Sequence, residues 1–372
     1  MKRFFKPRPI LSLLGVMDKS PSPVVFQVIP PLNGRSGAIV KALSAVILIC
    51  ACGGGKAPRP VERGAFLKDT HVRITVFDAA VPEDSVQSAI DRCLREMEAL
   101  EGMTTAHVDT SEIAKINARA GKSAVAVKPE IVELLKKSIG LSEKTEGAFD
   151  FTLGALKDLW GFDSEHPAVP DSGAVRKLLA ATGSGQLVLR NATAFLANPA
   201  TRLDLGGLGE GLLIDRGVGV LQKAGIKAGI VETSGELRAF GKKPGRKTWR
   251  IGVRHPRDPN GGLIGVLTLE AAGVSTSGDY ERYFIEGGKR YCHILDPKTG
   301  FPAARCISVT IVAPDALTAD AFDTAVFVLG PEKGMALIEK TPGIEGIIMT
   351  ETGGRIRELV SRGLKSRYKP IE

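Results

Sequence analysis

The most informative run in the chain is TSGDYERYFIEGGKRYCHILDPKTG, which occupies residues 276–300. Its Gly287-Gly288 pair is typical of a two-residue hairpin turn, because both turn positions then take positive φ angles that glycine adopts freely. Pairing outward from this turn sets Arg282 opposite His293. The open end would then gather four side chains suited to acid–base chemistry: Ser277, Asp279, His293 and Asp296. A polar sheet edge with an Asp-Pro turn would give the same pattern.

A second run, LDLGGLGEGLLID at residues 203–215, predicts a strand that enters a glycine-rich turn and then a helix. The N–H groups at the start of such a helix can face a phosphate group. The spacing does not match a GxGxxG motif, since Gly207 and Gly209 are followed by Leu212, and the sequence has no P-loop Gly-Lys-Ser/Thr run. A tight strand-to-helix turn without a ligand is the alternative.

A third run, TADAFDTA at residues 318–325, begins an apolar helix. Asp320 and Thr324 are four residues apart and therefore share one helical face. A carboxylate and a hydroxyl beside a phosphate are the hard oxygen ligands that Mg²⁺ accepts. Asp320 could equally serve only to complement the helix dipole.

A fourth run, GAFDFTLGALKDLWGF at residues 147–162, carries aromatic side chains that core packing alone would explain. Hydrolase and zinc-protease signatures are missing from the sequence, which has neither HExxH nor GxSxG. Beyond residue 52 the cysteines are few and odd in number, which argues against a disulfide framework or a cysteine zinc site: Cys93, Cys292 and Cys306.

Strand-like and helical patterns alternate irregularly along the chain and predict one domain of the α+β, or mixed α/β, class. Helices are predicted over residues 83–101, 111–118, 130–145, 172–181, 316–329 and 332–340. Strands are predicted at residues 71–77, 186–189, 201–205, 229–232, 249–253, 263–269, 307–313 and 343–349. The hairpin around Gly287-Gly288 lies between the strands at 263–269 and 307–313.

The net charge of +9 is concentrated at the start of the 372-residue chain. Residues 1–52 contain seven Lys or Arg and one acid, so they hold six of the nine net positive charges. The body is therefore nearly neutral and offers no basic surface of the kind that binds nucleic acid.

Residues 42–55 (ALSAVILICACGGG) form an uncharged run that is too short for a membrane span but suits a secretory signal. The end of this run, Ile49-Cys-Ala-Cys52, resembles a bacterial lipobox with Cys52 as the lipidated residue. An ordinary buried strand or a signal cleaved without lipidation is the alternative. We predict a lipoprotein leader at residues 1–52, a flexible tether at 53–63 and a catalytic domain at 64–372, held by lipid on the periplasmic side of a bacterial membrane.

Taken together and in this order, the runs resemble one family, the FAD:protein FMN transferases, also called the ApbE family. The family pattern comprises SE-x₄-N, FDxTxGPLxxLWGF, DLGGIAKGYAVD, a VNxGGD-like strand, TSGDYERYF with HIxDPxTG, and ADAxxTA. The corresponding runs here are Ser111-Glu112 with Asn117, and residues 149–162, 204–215, 231–236, 276–300 and 319–325. The ordered set is far more specific than any single motif.

The resemblance implies a pocket for FAD, the substrate, and a Mg²⁺ site. The family's metal ligands would fall on Asp320, Thr324 and the backbone carbonyl of Gly209. Flavin and pyrophosphate contacts would fall on nine residues: Asn117, Phe149, Asp150, Gly206, Gly207, Thr276, Ser277, Gly278 and His293.

In the implied reaction, a Thr or Ser hydroxyl of an acceptor protein attacks the FMN-side phosphorus of FAD, and AMP leaves. Asp279 or His293 would take the hydroxyl proton. The acceptor would be a redox-pump subunit or another exported flavoprotein.

Some positions depart from the family pattern, chiefly Glu210, where the family usually has lysine beside the presumed pyrophosphate. Two other functions therefore stay open: a Mg²⁺-dependent FAD pyrophosphatase, which yields FMN and AMP, and a flavin-binding lipoprotein without transferase activity. A covalent-flavin electron carrier is disfavoured, because the sequence lacks the Ser/Thr-Gly-Ala-Thr run that would accept the flavin.

Overall fold

The computed structural model of the protein describes residues 60–67, 70–78, 80–243 and 248–371. The predicted leader with Cys52, and residues 53–59 of the predicted tether, lie outside the described residues. The first strand begins at Val61 and pairs with the next strand, so the last three residues predicted as tether are part of the folded body. Within the described ranges, no helix combines the length and apolar character needed to cross a membrane.

The described residues form helices and antiparallel strands that interleave in one domain, which confirms the predicted mixed class. The helices are α1 (Glu83–Thr104), α2 (Glu112–Ala118), α3 (Pro129–Lys144), α4 (Gly154–Trp160), α5 (Ser172–Leu179), α6 (Gly209–Lys223) and α7 (Ala316–Lys340). The strands are β1 (Val61–Leu67), β2 (Thr70–Val76), β3 (Val125–Ala126), β4 (Leu187–Arg190), β5 (Thr193–Leu196), β6 (Gly229–Glu232), β7 (Glu236–Phe240), β8 (Trp249–Arg254), β9 (Leu263–Leu269), β10 (Ala272–Gly278), β11 (Tyr283–Glu286), β12 (Lys289–Cys292), β13 (Ser308–Ala313), β14 (Glu345–Thr352), β15 (Arg355–Val360) and β16 (Tyr368–Pro370).

The largest sheet has eight strands in the order β1-β2-β6-β7-β10-β13-β14-β15, and neighbouring strands are antiparallel throughout. Because side chains alternate along a strand, the strands of this sheet contribute side chains to a hydrophobic core on each of its two faces. Val309 and Ile311 of β13 pack with the Phe322 ring of α7, whereas Val312 packs with Trp249 on the opposite face. The sheet therefore lies between helices α6 and α7 and the small sheet β16-β9-β8.

Most predicted elements are present, and two were predicted with their observed bounds, β6 and β9. The predicted strand at residues 201–205 is wrong. Arg202 forms only an isolated β-bridge with Leu153. The Asn117 side chain hydrogen-bonds to both the N–H and the C=O of Leu203, so these groups do not pair with a neighbouring strand. Strands β15 and β16, which follow the last predicted strand, were missed.

Helices α6 and α7 approach so closely that one glycine is required between them. A Cβ atom on Gly211 would lie 2.5 Å from the Ala316 carbonyl oxygen, which is backbone and cannot rotate away. Gly219, on the same helix, has open space at the equivalent position.

We expect Gly211→Ala to destabilise the fold by about 1–3 kcal/mol, because α6 must move away from α7. Gly219→Ala should instead raise stability by about 0.5–1 kcal/mol through its helix propensity. Urea unfolding of both variants measures the difference. Equal stabilities would show that the two helices do not need this close approach.

Candidate functional site

The first turns of α6 and α7 meet where Gly211 approaches Ala316, and this junction carries most of the predicted site. Strand β10 runs alongside α7, with Gly273 against the start of the helix and Ser277 bonded to Asp323. Asp215, on α6, accepts hydrogen bonds from the N–H groups of Ala316 and Leu317, both at 3.0 Å. These N–H groups open α7 and have no partner within that helix, so Asp215 caps α7 from the neighbouring helix. Burial raises the pKa of Asp215, and the two N–H donors and Arg238 act against that rise.

The three predicted metal ligands lie on the two sides of this junction. The Asp320 carboxylate accepts a hydrogen bond from the Gly211 N–H at 3.2 Å, two residues along the chain from Gly209. A Cβ atom on Gly207 would lie 3.4 Å from the Thr324 hydroxyl oxygen, so this hydroxyl faces the glycine turn. Asp320 is 4% exposed, and burial raises its pKa well above the usual value.

Three glutamates lie around the start of α6. The Glu210 Oε2 atom is buried and has no hydrogen-bond partner among the described residues. Burial, with the charges of Asp320 and Glu210, raises the pKa of Glu236 well above its usual value. Burial also raises the pKa of Glu281 to about 7, although Arg254 lies 3.7 Å away. Buried carboxylates without donors are costly unless they are protonated or meet a cation, so this pocket favours the arrival of positive charge.

Asp323, one residue before Thr324, is surrounded by hydroxyl groups. Its Oδ2 accepts from the Ser275 hydroxyl at 2.6 Å, and its Oδ1 accepts from the hydroxyls of Ser277 at 3.0 Å and Thr324 at 3.3 Å. Ser275 and Ser277 alternate along β10 and therefore both face α7. Burial raises the pKa of Asp323 to about 7, while the two serine hydroxyls oppose the rise.

The glycine turn before α6 is held from both sides. The Asn117 side chain donates to the Leu203 carbonyl at 2.9 Å and accepts from the Leu203 N–H at 2.7 Å. The Asp204 carboxylate accepts from Lys157 at 2.5 Å and from the Gly206 N–H at 2.8 Å. Burial alone would raise the pKa of Asp204, but Lys157 and the Gly206 N–H outweigh it and hold the pKa below its usual value.

Of the remaining predicted flavin contacts, Phe149 and Asp150 lie near the glycine turn, whereas the Thr276 side chain lies on the face of the sheet opposite to Ser277 and α7. Phe149 is buried beneath the turn, and a Cβ atom on Gly207 would lie 3.5 Å from its ring. Asp150 accepts from the N–H and the hydroxyl of Thr152, at 2.8 and 2.6 Å, and burial raises its pKa. At the end of β10, the Thr276 hydroxyl bonds across the sheet to β13, and the backbone of Gly278 packs tightly against the Tyr280 ring.

The two candidate proton acceptors lie in different surroundings. Both carboxylate oxygens of Asp279 accept from Arg257, at 2.6 and 2.8 Å. The Nδ1 atom of His293 lies 3.2 Å from the Arg282 carbonyl oxygen. Because a carbonyl only accepts, Nδ1 carries the proton and Nε2 is the basic nitrogen. Burial, followed by the Arg282 charge, lowers the pKa of His293 to about 3, so the ring is neutral at neutral pH.

The hairpin does not gather its polar side chains in the way predicted from the turn. Strands β11 and β12 pair as expected, and the His293 N–H donates to the Arg282 carbonyl at 3.0 Å. Ser277, however, bonds to α7, and the Asp296 carboxylate accepts from the Lys298 N–H in its own turn at 2.8 Å. The prediction is wrong here because residues 276–278 end β10 of the large sheet and do not extend β11.

The donors at the junction fit a hard cation. A carboxylate, a hydroxyl and a backbone carbonyl are oxygen ligands, and Mg²⁺ commonly binds one or two carboxylates together with water and substrate phosphate. In the part of the chain that the structure describes, no three His, Cys, Asp or Glu side chains are arranged to hold a metal ion. A cation here would therefore depend on the other oxygen donors and on the substrate.

The glycine turn also offers room for a phosphate group. Gly206 is exposed, and a Cβ atom on Gly209 would meet nothing within 4 Å. The first N–H groups of α6 favour an anion there, whereas the carboxylate of Glu210 opposes one.

Sequence reasoning missed four contributors to the site. Asp323, Lys157 and Glu236 lie inside the runs given above, but nothing in those runs showed which residues they approach. Arg257 lies outside all of those runs and reaches Asp279 from the loop after β8.

Comparison with known proteins identifies close counterparts. The model of the ApbE family matches residues 69–348. The chain is 34% identical over 346 residues to the FAD:protein FMN transferase of Treponema pallidum (strain Nichols), which covers 88% of this chain and 94% of that protein. It is 29% identical over 344 residues to the protein of the same name from Escherichia coli (strain K12), and the match covers 88% of this chain and 96% of that protein.

Two solved structures share the fold. The ApbE protein of Thermotoga maritima MSB8 superposes with a TM-score of 0.76 at 34% identity, covering 83% of this chain and 99% of that one. The flavin transferase ApbE of Vibrio cholerae gives a TM-score of 0.73 at 29% identity, with coverage of 83% and 99%.

We expect His293→Gln to lose less stability than wild type as the pH falls below about 6.5. The pKa of His293 is about 3 in the folded protein and about 6.5 when unfolded, so wild type loses stability as the pH falls from about 6.5 towards 3. Glutamine does not titrate, and the variant should therefore gain stability relative to wild type over that interval. Melting temperatures between pH 4 and 8 measure it, and parallel curves would contradict the burial argument.

Proposed function

The chain belongs to the ApbE family, and we propose that it transfers FMN from FAD to a Thr or Ser hydroxyl of an acceptor protein, in a Mg²⁺-dependent reaction that releases AMP. It is an enzyme, an FAD:protein FMN transferase like its curated relatives. The proposed acceptor is an exported flavoprotein such as a redox-pump subunit.

His293 is the proposed proton acceptor. The acceptor's hydroxyl oxygen forms a bond to the FMN-side phosphorus, the bond from that phosphorus to the bridging oxygen breaks, and AMP leaves with that oxygen. The hydroxyl proton passes to Nε2 of His293, because Nδ1 already donates to the Arg282 carbonyl. The pKa of about 3 makes the ring a weak base without substrate, and a negative pyrophosphate beside it would raise that pKa. Asp279 suits this role less well, since Arg257 takes both of its oxygens.

Asp320, Thr324 and the Gly209 carbonyl would hold the cation at the junction of α6 and α7. When bound, Mg²⁺ supplies charge neutralisation for the pyrophosphate and the departing AMP. Around it, the proposed flavin and pyrophosphate contacts use the end of β10 and the glycine turn: Asn117, Phe149, Asp150, Gly206, Gly207, Thr276, Ser277, Gly278 and His293.

One observation supports the cation requirement most strongly, namely the unpartnered buried oxygen of Glu210 beside Asp320 and Glu236. A pyrophosphate entering this pocket meets several buried carboxyl groups, and each one that is ionised repels it in surroundings where charge is poorly screened. The positive end of α6 offsets only a fraction of that repulsion. Binding of FAD is therefore expected to require a divalent cation.

The activity is tested by mixing the protein with FAD, MgCl₂ and a purified acceptor flavoprotein. Release of AMP is followed by chromatography, and covalent flavin is followed by fluorescence of the acceptor band in a denaturing gel. AMP together with a fluorescent acceptor supports the transferase. AMP without labelling, with or without acceptor, would show that water is the nucleophile and that the protein is a pyrophosphatase.

Two substitutions test the metal assignment. We expect Asp320→Asn to reduce Mg²⁺-dependent AMP release to background, because the carboxylate charge is lost while the size is kept. Thr324→Val should weaken Mg²⁺ affinity by about 10–100-fold. Asp91→Asn is the matched control and should show wild-type AMP release, because this half-exposed carboxylate on α1 pairs with Arg63 of β1 and not with α6 or α7. An unchanged rate for Asp320→Asn at saturating Mg²⁺ would refute the assignment.

Glu210→Lys should tighten FAD binding and lower the Mg²⁺ concentration needed. The side chain points inward, and a lysine there would meet Glu236 and attract the pyrophosphate, with a gain of about 1–3 kcal/mol. Flavin fluorescence titrations at several Mg²⁺ concentrations measure the FAD affinity of each protein. Glu210→Gln removes the carboxylate without adding an ammonium group, and so separates the two effects of the lysine. Equal affinities for all three proteins would show that this carboxylate does not affect FAD binding.

We further propose that the protein is a lipoprotein that begins at Cys52 and faces the periplasm, a location supported by the lipobox-like run and the glycine-rich residues after it. Multiple acylation at one cysteine would hold the domain firmly at a membrane. Expressed in a bacterium, the full chain should fractionate with membranes, Cys52→Ser should not, and Cys50→Ser should behave as wild type. A Cys52→Ser variant that stays in the membrane fraction would overturn this location.

A further inference from the structure

Asp323 has no part in the mechanism above, yet it joins two elements that carry the proposed site. It lies on α7 between Asp320 and Thr324, is 2% exposed, and accepts hydrogen bonds from three hydroxyl groups. Ser275 and Ser277 come from β10, so Asp323 connects the strand that carries proposed flavin contacts to the helix that carries proposed metal ligands.

The chemistry of these contacts fixes where the hydroxyl protons lie. In the structure the hydroxyl groups of Ser275, Ser277 and Thr324 all donate to the Asp323 carboxylate. A hydroxyl group has one proton, so each of these groups uses its proton in that bond. The lone pairs of Thr324 Oγ1 are then left on the other side, facing the glycine turn at Gly207.

We propose that Asp323 is a positioning residue, which orients the Thr324 hydroxyl so that its lone pairs face the cation. The inference rests on the proposed function, because it assumes a cation at Thr324. Without Asp323, the Thr324 hydroxyl can rotate and point its proton at the cation, which costs affinity.

A double-mutant cycle between Asp323 and Thr324 tests the inference without measuring turnover. Binding of Mn²⁺ in the presence of FAD is measured by electron paramagnetic resonance for wild type, Asp323→Asn, Thr324→Val and the double variant. Melting temperatures establish that each protein is folded. An asparagine at position 323 can still turn its amide oxygen towards Thr324 and accept the hydrogen bond. Asp323→Ala, alone and combined with Thr324→Val, therefore supplies the variants that have no acceptor at this position.

We expect Asp323→Ala to weaken Mn²⁺ binding by about 10–100-fold in the presence of the Thr324 hydroxyl. In the Thr324→Val background the same substitution should weaken binding by about threefold or less, because no hydroxyl is left to orient. Ser275→Ala, which removes a hydrogen bond to Asp323 on the side away from Thr324, should lower the melting temperature and leave Mn²⁺ affinity as in wild type.

Equal losses in both backgrounds would overturn the inference, since Asp323 would then act through its charge or through folding. A fall in Mn²⁺ affinity for Ser275→Ala that matches Asp323→Ala would also overturn it. Wild type that binds no Mn²⁺ would contradict both this inference and the proposed metal site. Wild type that binds Mn²⁺ and FAD but labels no acceptor would contradict only the proposed transferase activity.

Discussion

The hydrogen bonds that tie α6 to α7 are the constraint on which the site depends. Asp215 caps the start of α7, the Asp320 carboxylate receives the Gly211 N–H, and the absence of a side chain at Gly211 allows the two helices to approach this closely. These contacts set the separation between the glycine turn and the carboxylates of α7. A substrate group bound at the turn is consequently held beside acidic side chains, whatever the rest of the pocket contributes.

Electrostatics then determine what the junction can accept. Glu210, Glu236, Asp320 and Asp323 lie around it, and burial raises the pKa of three of them: Glu236, Asp320 and Asp323. Lys157 is already engaged by Asp204, and Arg257 by Asp279. These buried carboxyl groups can be ionised only at a cost, and a divalent cation bound among them would lower that cost. Under the proposed function, the same cation would accompany the pyrophosphate of FAD.

Local patterns predicted the parts of the fold that local forces determine. Most helices, the glycine hairpin and strands such as β6 follow from periodicity and turn chemistry. That Asp320, Thr324 and the Gly209 carbonyl form one metal site is implied by the family resemblance and stays a prediction. Long-range contacts could not be predicted. Residues 201–205 do not form the predicted strand, because the side chain of Asn117, far away in sequence, hydrogen-bonds to the N–H and the C=O of Leu203. Likewise, Ser277 turns away from the hairpin because β10 belongs to the large sheet, which the local alternation of residues does not reveal.

The central claim is that this pocket is too acidic to bind FAD without a divalent cation. Titration of wild-type protein with FAD, followed by flavin fluorescence, tests it in EDTA and in millimolar MgCl₂. The account predicts saturable binding with Mg²⁺ and none, or binding weaker by about a hundredfold, in EDTA. Equal affinity under the two conditions would contradict it, because the carboxylates at the junction would then be shown not to oppose the pyrophosphate.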